Sequence, residues 1–114
     1  MARISTHVLD TARGAPAAGV RVRLYACEGN SRHPMKSAVT NADGRTDEPL
    51  LEGERLRQGW YELEFSVAGY FGETGESPPF LGEVVVRFGV SDPLANYHVP
   101  LLVAPHGYTT YRGS

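Results

Sequence analysis

Short runs of alternating apolar and polar residues, separated by turns rich in glycine and proline, constrain the fold of this chain more than any other feature. In "GVRVRLY", Val20, Val22 and Leu24 share one face while Arg21 and Arg23 take the other. "WYELEFSV" repeats the alternation, with inward positions at Tyr61, Leu63, Phe65 and Val67. Since successive side chains of a strand point to opposite faces, a period of two predicts strands that bury one face.

The rest of the chain extends this pattern. "EVVVRFGV" reads as a third strand, and further strands are predicted at about 3 to 9, 34 to 39, 97 to 104 and 107 to 112. "ARGAPAAG", "NADG" and "ESPP" supply the turns between them, because Gly, Pro, Asn and Asp favour the backbone angles that turns need. This spacing predicts an all-β sandwich of two sheets. A short helix from about Ala68 to Gly75 is the one predicted exception.

Composition narrows the class of protein. At 114 residues, the chain predicts one domain spanning residues 1 to 114. The formal net charge is -2, and scattered Lys and Arg residues make nucleic acid an unexpected partner. No run approaches the roughly 20 apolar residues that span a bilayer, and "MARISTHVLD" lacks the apolar centre of a secretory signal. Cys27 is the single cysteine, so an internal disulfide is excluded. We therefore expect a cytoplasmic protein that does not bind membranes.

Two histidines stand out on the predicted strands. The alternation in "ARISTHVLD" places His7 on the face opposite Ile4 and Val8, away from the core. In "YHVPLLVA" one face is apolar, yet His98, Pro100, Leu102 and Ala104 make the other face largely apolar as well. A sandwich strand packs only one face on its own core, so the second face predicts contact with another subunit. Pro100 lacks a backbone donor, which predicts an edge strand or a bulge.

Residue patterns alone leave the function open. A lone histidine on a strand is more often a surface or structural residue than a functional one, and Arg45 in "TNADGRTD" fits an ordinary turn. Metal binding is disfavoured, because the histidines and Cys27 do not form the close pairs of recurrent zinc motifs. The chain also has no phosphate-binding glycine loop and no nucleophile elbow.

A family resemblance takes the interpretation further. "STHVLDTARGAPAAGVRVRLY", "TNADGRTD" and "YHVPLLVAPHGYTTYRGS" together resemble the transthyretin-related proteins, and within them the 5-hydroxyisourate hydrolases. The similarity covers essentially the whole chain. Its most specific element is the final Tyr-Arg-Gly-Ser, which the enzyme branch carries and the hormone-carrying transthyretins do not. By composition alone this tail would be a slack end.

The resemblance implies a prealbumin-like sandwich of two four-stranded sheets, assembled as a homotetramer. The implied reaction is hydrolysis of 5-hydroxyisourate, the product of urate oxidation, without cofactor or metal. It also implies functional roles for His7, Arg45, His98 and the tail, in which Ser114 joins the catalytic group and Tyr111, Arg112 and Gly113 bind substrate. One departure is Asn96, where these enzymes often have a further histidine.

Chemistry agrees with these roles. Opening a cyclic amide needs an activated water, a donor for the oxyanion, and planar recognition of a carbonyl-rich ring. Histidine can take a proton from water near neutral pH, while arginine stays charged and matches carbonyl groups with its planar fork. Which histidine acts as the base stays open.

Two other functions remain alternatives. One is a carrier of a small aromatic ligand, without turnover. The other is a structural sandwich module of a larger surface protein or peptidase. The combination of His7, Arg45, His98 and the tail favours the hydrolase over both.

Overall fold

The computed structural model describes residues 2 to 72 and 75 to 114 of the chain. Nine strands and one α-helix occur in these ranges, together with a short 3-10 turn at Gly53–Arg55. The elements are β1 (Arg3–Asp10), β2 (Ala15–Pro16), β3 (Arg21–Glu28), β4 (Ser31–Val39), β5 (Leu51–Glu52), β6 (Gly59–Ser66), α1 (Val67–Phe71), β7 (Glu83–Val90), β8 (Tyr97–Ala104) and β9 (Gly107–Thr110).

The strands form two sheets that enclose one apolar core, so the predicted all-β sandwich is confirmed. One sheet has four strands in the order β4-β3-β6-β7. The other follows the order β2-β1-β8-β9, and the two-residue strand β5 also pairs with β1. This second sheet therefore contains one short strand beyond the four that the resemblance implies.

The period of two in the sequence corresponds to burial in the structure. All seven residues assigned to the inner faces of "GVRVRLY" and "WYELEFSV" are buried, with relative exposures of 3% or less. They pack with apolar side chains of the other sheet, among them Ile4, Val8, Leu101 and Val103. The hydrophobic contribution of a fully buried side chain of this size is about 1.5 to 3 kcal/mol. The alternation thus determines which face of each strand is left for other contacts.

The helix is shorter than predicted. It begins one residue early, at Val67, and ends at Phe71 rather than near Gly75. Part of the predicted span, residues 73 and 74, lies outside the described residues. Tyr70 anchors this helix to the sheet that contains β1, because its hydroxyl donates a 2.7 Å hydrogen bond to the carboxylate of the buried Asp10. Among the residues described, no helix is long and apolar enough to cross a membrane.

Strands β1 and β8 are parallel neighbours, which the sequence patterns did not predict. Their register places Ser5 opposite His98 and His7 opposite Pro100. A buried cross-strand bond supports this register, since the Thr6 hydroxyl donates to the carbonyl of Val99 at 2.6 Å. Parallel neighbours require a long crossover, and here all four strands of the β4-β3-β6-β7 sheet lie between β1 and β8 in sequence. Two segments about 90 residues apart are thereby fixed side by side.

Pro100 does not lie in an edge strand, because β8 is an interior strand between β1 and β9. The register that pairs Leu101 with Thr110, and resumes at His98 with Gly113, places Pro100 opposite Tyr111. In an antiparallel pair, the backbone N–H and C=O groups of every second residue point to the same neighbouring strand. Since the His98 carbonyl bonds to Gly113 of the tail, the backbone nitrogen of Pro100 also points to the tail, where another residue would donate a hydrogen bond. Lacking that donor, it interrupts the ladder where β9 ends.

Thr40 connects the start of β3 to the segment before it. Its hydroxyl accepts a hydrogen bond from the Val20 backbone at 2.9 Å and donates one to the Ala17 carbonyl at 2.7 Å. The residue is only 4% exposed, so water cannot replace these bonds. The hydroxyl therefore satisfies two buried backbone groups at once.

We expect Thr40→Val, which keeps the shape but removes the hydroxyl, to lower the free energy of unfolding by about 1 to 3 kcal/mol, the cost of unpaired buried polar groups. Chemical denaturation measures this change. The control is Thr109→Val, because Thr109 is exposed on β9. Equal stability of the Thr40 variant and the wild type would contradict the assignment.

Candidate active site

A small polar cleft lies where the N-terminal halves of β1 and β8 meet the tail. Its volume is about 200 Å³. The lining residues come from four segments distant in sequence: Arg3, Ser5, Arg45, Asn96, His98 and Ser114. The cleft thus contains three of the residues implied by the resemblance, namely Arg45, His98 and Ser114.

His98 is the half-buried imidazole of this cleft. Its Nδ1 lies 2.9 Å from the hydroxyl oxygen of Ser5, in the position opposite on β1. Among the described residues, no side chain or backbone group forms a hydrogen bond with its Nε2. Every buried polar side-chain atom in these residues has a partner, so an atom without one is not buried. Nε2 is therefore open to solvent and available to a small molecule.

The surroundings of His98 favour its neutral form. Partial burial lowers the pKa of His98 below the ordinary value of 6.5, and the nearby charges of Arg45, His7 and Arg3 lower it further. Burial acts because a charged ring loses hydration, whereas the cations act by repulsion. At neutral pH the ring is accordingly uncharged, the form in which an imidazole nitrogen accepts a proton.

His7 lies beside the cleft and contacts the turn that carries Arg45. Its Nε2 is 2.8 Å from the backbone carbonyl oxygen of Asp43. Because a carbonyl only accepts, Nε2 must carry the hydrogen, and Nδ1 is the nitrogen left to accept a proton in the neutral ring. His7 and Arg45 also form an isolated backbone bridge. The ring of His7 is thus tied to the turn.

The turn from Asn41 to Arg45 is held by its own hydrogen bonds. The Asn41 side-chain oxygen accepts from the backbone N–H groups of Asp43 and Arg45, at 2.9 and 3.2 Å. Gly44 has a φ of 77°, and a Cβ there would overlap the carbonyl oxygen of Val8. Only glycine allows both this conformation and this close approach to β1. The turn therefore presents Arg45 to the cleft from a defined position.

The tail is held against His98 by its backbone. The Gly113 N–H donates a 2.7 Å hydrogen bond to the His98 carbonyl. A Cβ on Gly113 would lie 2.6 Å from Cδ2 of the His98 ring, far inside van der Waals contact. A residue with a side chain would thus displace either the ring or the tail. This contact brings Ser114 to the cleft.

Tyr111 and Arg112 lie outside the small cleft. The Arg112 guanidinium donates to the carbonyl of Asn96 at 3.0 Å and stacks 4.3 Å above the ring of Tyr97. Both residues line a different cavity of about 310 Å³, together with residues of β7 such as Phe88. Of the four tail residues, Ser114 lines the cleft, Gly113 contacts His98, Arg112 holds the base of the tail, and Tyr111 lines the other cavity.

Sequence reasoning did not assign Arg3 and Ser5 to the site. A signal was present, since the alternation on β1 puts both on the same face as His7. The sequence did not show that β8 is the neighbour of β1, because local alternation does not reveal which strands pair. Asn96 was noted only as a departure from the family pattern and was not predicted to be a site residue, but it lines the cleft.

The polar groups of the cleft are guanidinium, imidazole, hydroxyl and amide groups, and no Asp or Glu side chain is among those that line it. Across the described parts of the chain, no cluster of three or more His, Cys, Asp or Glu residues is placed to hold a metal ion. The arrangement can accept a proton at one imidazole nitrogen and stabilise negative charge beside it.

Comparison with known proteins identifies the family. The model of the HIUase/Transthyretin family matches residues 4–113. The chain belongs to this family. A 5-hydroxyisourate hydrolase of Deinococcus radiodurans is 57% identical over 113 residues, a match that covers 97% of this chain and 95% of the relative.

Two solved structures with this fold are a 5-hydroxyisourate hydrolase and a transthyretin in complex with thyroxine. The 5-hydroxyisourate hydrolase of Klebsiella pneumoniae superimposes with a TM-score of 0.83 and 34% identity, over 100% of both chains. Sea bream transthyretin in complex with thyroxine gives a TM-score of 0.86 and 25% identity, over 97% of this chain and 94% of that one. The backbone alone does not separate the two, whereas identity is higher to the hydrolases.

We expect the His98 ring to titrate with a midpoint below pH 6.5. In Arg45→Gln the midpoint should rise, because removing a nearby cation makes the imidazolium less unfavourable, but stay below 6.5, because burial persists. An NMR titration of the ring proton measures both values, with the resonance assigned by its loss in His98→Asn.

Arg55→Gln is the matched control, since Arg55 lies on the distant 3-10 turn. A wild-type midpoint above 6.5, or one that does not respond to Arg45→Gln, would contradict the electrostatic description of the cleft.

Proposed function

We propose that this chain hydrolyses 5-hydroxyisourate to 2-oxo-4-hydroxy-4-carboxy-5-ureidoimidazoline in urate catabolism. The observation that carries the proposal is the open Nε2 of a neutral His98 beside Arg45, in a chain 57% identical along nearly its full length to a protein named 5-hydroxyisourate hydrolase. The predicted family and enzyme class agree with these comparisons. The roles of individual residues are our proposal.

His98 acts as the general base. Its Nε2 takes a proton from a water molecule, and the water oxygen bonds to a ring amide carbonyl carbon of the substrate. The resulting oxyanion then collapses, the C–N bond of the ring breaks, and the leaving nitrogen receives the proton held by His98. The immediate products of this step are a carboxylic acid and a ureido nitrogen. The acid then gives its proton to solvent, which leaves the carboxylate of the named product. No redox partner or metal takes part.

Arg45 orients the ring and stabilises the oxyanion. Its planar guanidinium stays charged and can donate two parallel hydrogen bonds to neighbouring carbonyl groups. His7 supports this role, because its bond to Asp43 holds the turn that carries Arg45. Only Nδ1 of His7 is left for proton transfer, so we assign water activation to His98 first.

The tail completes the binding site. Ser114 lines the cleft, and in the proposed site its hydroxyl bonds to a polar edge of the substrate. Gly113 lets the backbone approach His98. We propose that Tyr111 and Arg112 contribute to substrate binding by fixing the tail at its base, since Arg112 bonds to the carbonyl that precedes Tyr97. This is a less direct role than contact with the substrate.

We also propose a cytoplasmic homotetramer. Within one chain the outer face of β8 carries Leu102 and Ala104, both partly exposed, on the same face as His98 and the already buried Pro100. This apolar surface lies next to the polar cleft. Covering this face by another subunit would bury apolar area and limit water in the cleft.

A carrier without turnover remains the second candidate. The cavity of about 310 Å³ favours it, because Val86, Phe88, Tyr97 and Val99 offer an apolar lining for an aromatic ligand. The cleft at His98 is smaller, at about 200 Å³, and polar. A carrier would use the first cavity, whereas the hydrolase needs the second.

We expect the purified protein, without added metal, to accelerate the loss of ultraviolet absorbance of 5-hydroxyisourate freshly made by urate oxidase. In His98→Asn the rate should fall on the order of 10²-fold or more, the usual scale for losing a general base. The matched control is His33→Asn, since His33 lies exposed on β4 in the other sheet. A wild-type protein no faster than the spontaneous decay would favour the carrier.

The tail gives a separate test. We expect Gly113→Ala to lose most of the activity while keeping the wild-type circular dichroism spectrum, because the added methyl meets the His98 ring at 2.6 Å. In Gly82→Ala the methyl meets nothing within 4 Å, so this control should keep full activity. Unchanged kcat/KM in Gly113→Ala would show that the tail does not position the His98 ring.

A further inference from the structure

We propose that Ser5 is a positioning residue for His98: its hydroxyl oxygen accepts the Nδ1–H of the imidazole and so directs the lone pair of Nε2 into the cleft. The kinetic part of this inference rests on the proposed hydrolase function. The assignment of the hydrogen to Nδ1 does not, because it concerns the resting protein and can be measured without substrate.

Backbone register puts the two side chains in contact. Ser5 and His98 are directly opposite on the parallel strands β1 and β8, and both point to the outer face. The distance from the hydroxyl oxygen to Nδ1 is 2.9 Å, a normal hydrogen bond. Since the Thr6 hydroxyl bonds to the Val99 carbonyl one position along, the strands cannot slide apart locally. The contact is therefore part of the sheet.

Charges around the cleft determine the direction of this hydrogen bond. The charged groups that act on His98 are Arg45 on the turn and His7 and Arg3 on β1. Asp47 and Glu48 line an adjoining cavity and are not among the residues that line the cleft, to which Nε2 is the open ring nitrogen. A lone pair pointed at guanidinium groups is attracted, whereas an N–H pointed at them is repelled. This arrangement favours the lone pair on Nε2 and the hydrogen on Nδ1, so the Ser5 oxygen is the acceptor.

The hydrogen bond made by one ring nitrogen sets which nitrogen carries the proton. Without the hydroxyl, Nδ1–H would lose its partner and the ring could exchange to the Nε2–H tautomer or rotate. A fraction of molecules would then present a donor to the water instead of an acceptor. We expect kcat to fall roughly 10- to 100-fold in Ser5→Ala, the range found when an outer partner of a functional histidine is removed from metal sites. KM should change little.

The direct test is the tautomer itself. Long-range ¹H–¹⁵N NMR on protein with ¹⁵N-labelled histidine distinguishes a protonated ring nitrogen from an unprotonated one, and His98→Asn identifies the signals. Above the pKa of His98, we expect the Nδ1–H form in the wild type and a larger share of Nε2–H in Ser5→Ala. Ser5→Thr keeps a hydroxyl at a strand position that tolerates β-branched residues, so it should restore the wild-type tautomer and most of kcat.

Ser66→Ala is the matched control, because the Ser66 hydroxyl bonds to Glu83 at the surface of the other sheet. It should leave both the tautomer and kcat unchanged. An Nε2–H tautomer in wild-type His98, or a tautomer that does not change in Ser5→Ala, would overturn the assignment of Ser5. If the wild type does not hydrolyse 5-hydroxyisourate, the proposed function fails, while the NMR result still decides the role of Ser5.

Discussion

The parallel pairing of β1 with β8 is the constraint on which the site depends. It places Ser5 opposite His98 and His7 opposite Pro100, although the two strands lie about 90 residues apart in sequence.

Two further segments, the turn and the tail, are bonded to this strand pair. The turn at Asn41–Arg45 bonds to β1 through His7 and Val8, and the tail bonds to β8 through Gly113. Each of the four segments that form the cleft is thus held by backbone hydrogen bonds to one strand pair or belongs to it. The apolar core on the inner face fixes the register of β1 and β8. That register determines which polar side chains meet on the outer face.

Electrostatics give the cleft its chemical character. Arg3 and Arg45 line it without an acidic side chain among its lining residues, so a carbonyl-rich or anionic ring is attracted while a protonated imidazole is not. Partial burial of His98 acts in the same direction. A base that stays neutral and a cation that stays charged therefore coexist in a volume of about 200 Å³. Arginine suits this arrangement because its charge does not titrate near neutral pH.

Local sequence patterns predicted the strands and their buried faces, but they did not predict which strands pair. The alternation in "GVRVRLY" and "WYELEFSV" identified buried faces correctly, because burial of one strand face follows from period two alone. The same alternation placed His7 on the outer face. It could not reveal that β8 is an interior strand. Pro100 predicted an edge strand or a bulge, and the edge position was wrong because the missing donor faces the tail. Ser5 went unassigned, since its role depends on a partner 93 positions away. The strand pattern had already singled out His98, whereas its functional role, like those of Arg45 and Ser114, came from the family resemblance. The structure brings these three residues to one cleft.

In the proposed function, the small polar cleft, rather than the apolar cavity beside β7, receives the planar heterocycle. Binding of urate, a stable relative of the proposed substrate, tests this most directly when followed by ¹H–¹⁵N NMR. We expect saturable shifts at Ser5, His98 and Gly113 and at the Arg45 side chain, with the amides of Phe88 and Gly89 little changed. Shifts confined to Phe88, Gly89 and their neighbours in the cavity of about 310 Å³ would contradict the claim and favour a carrier.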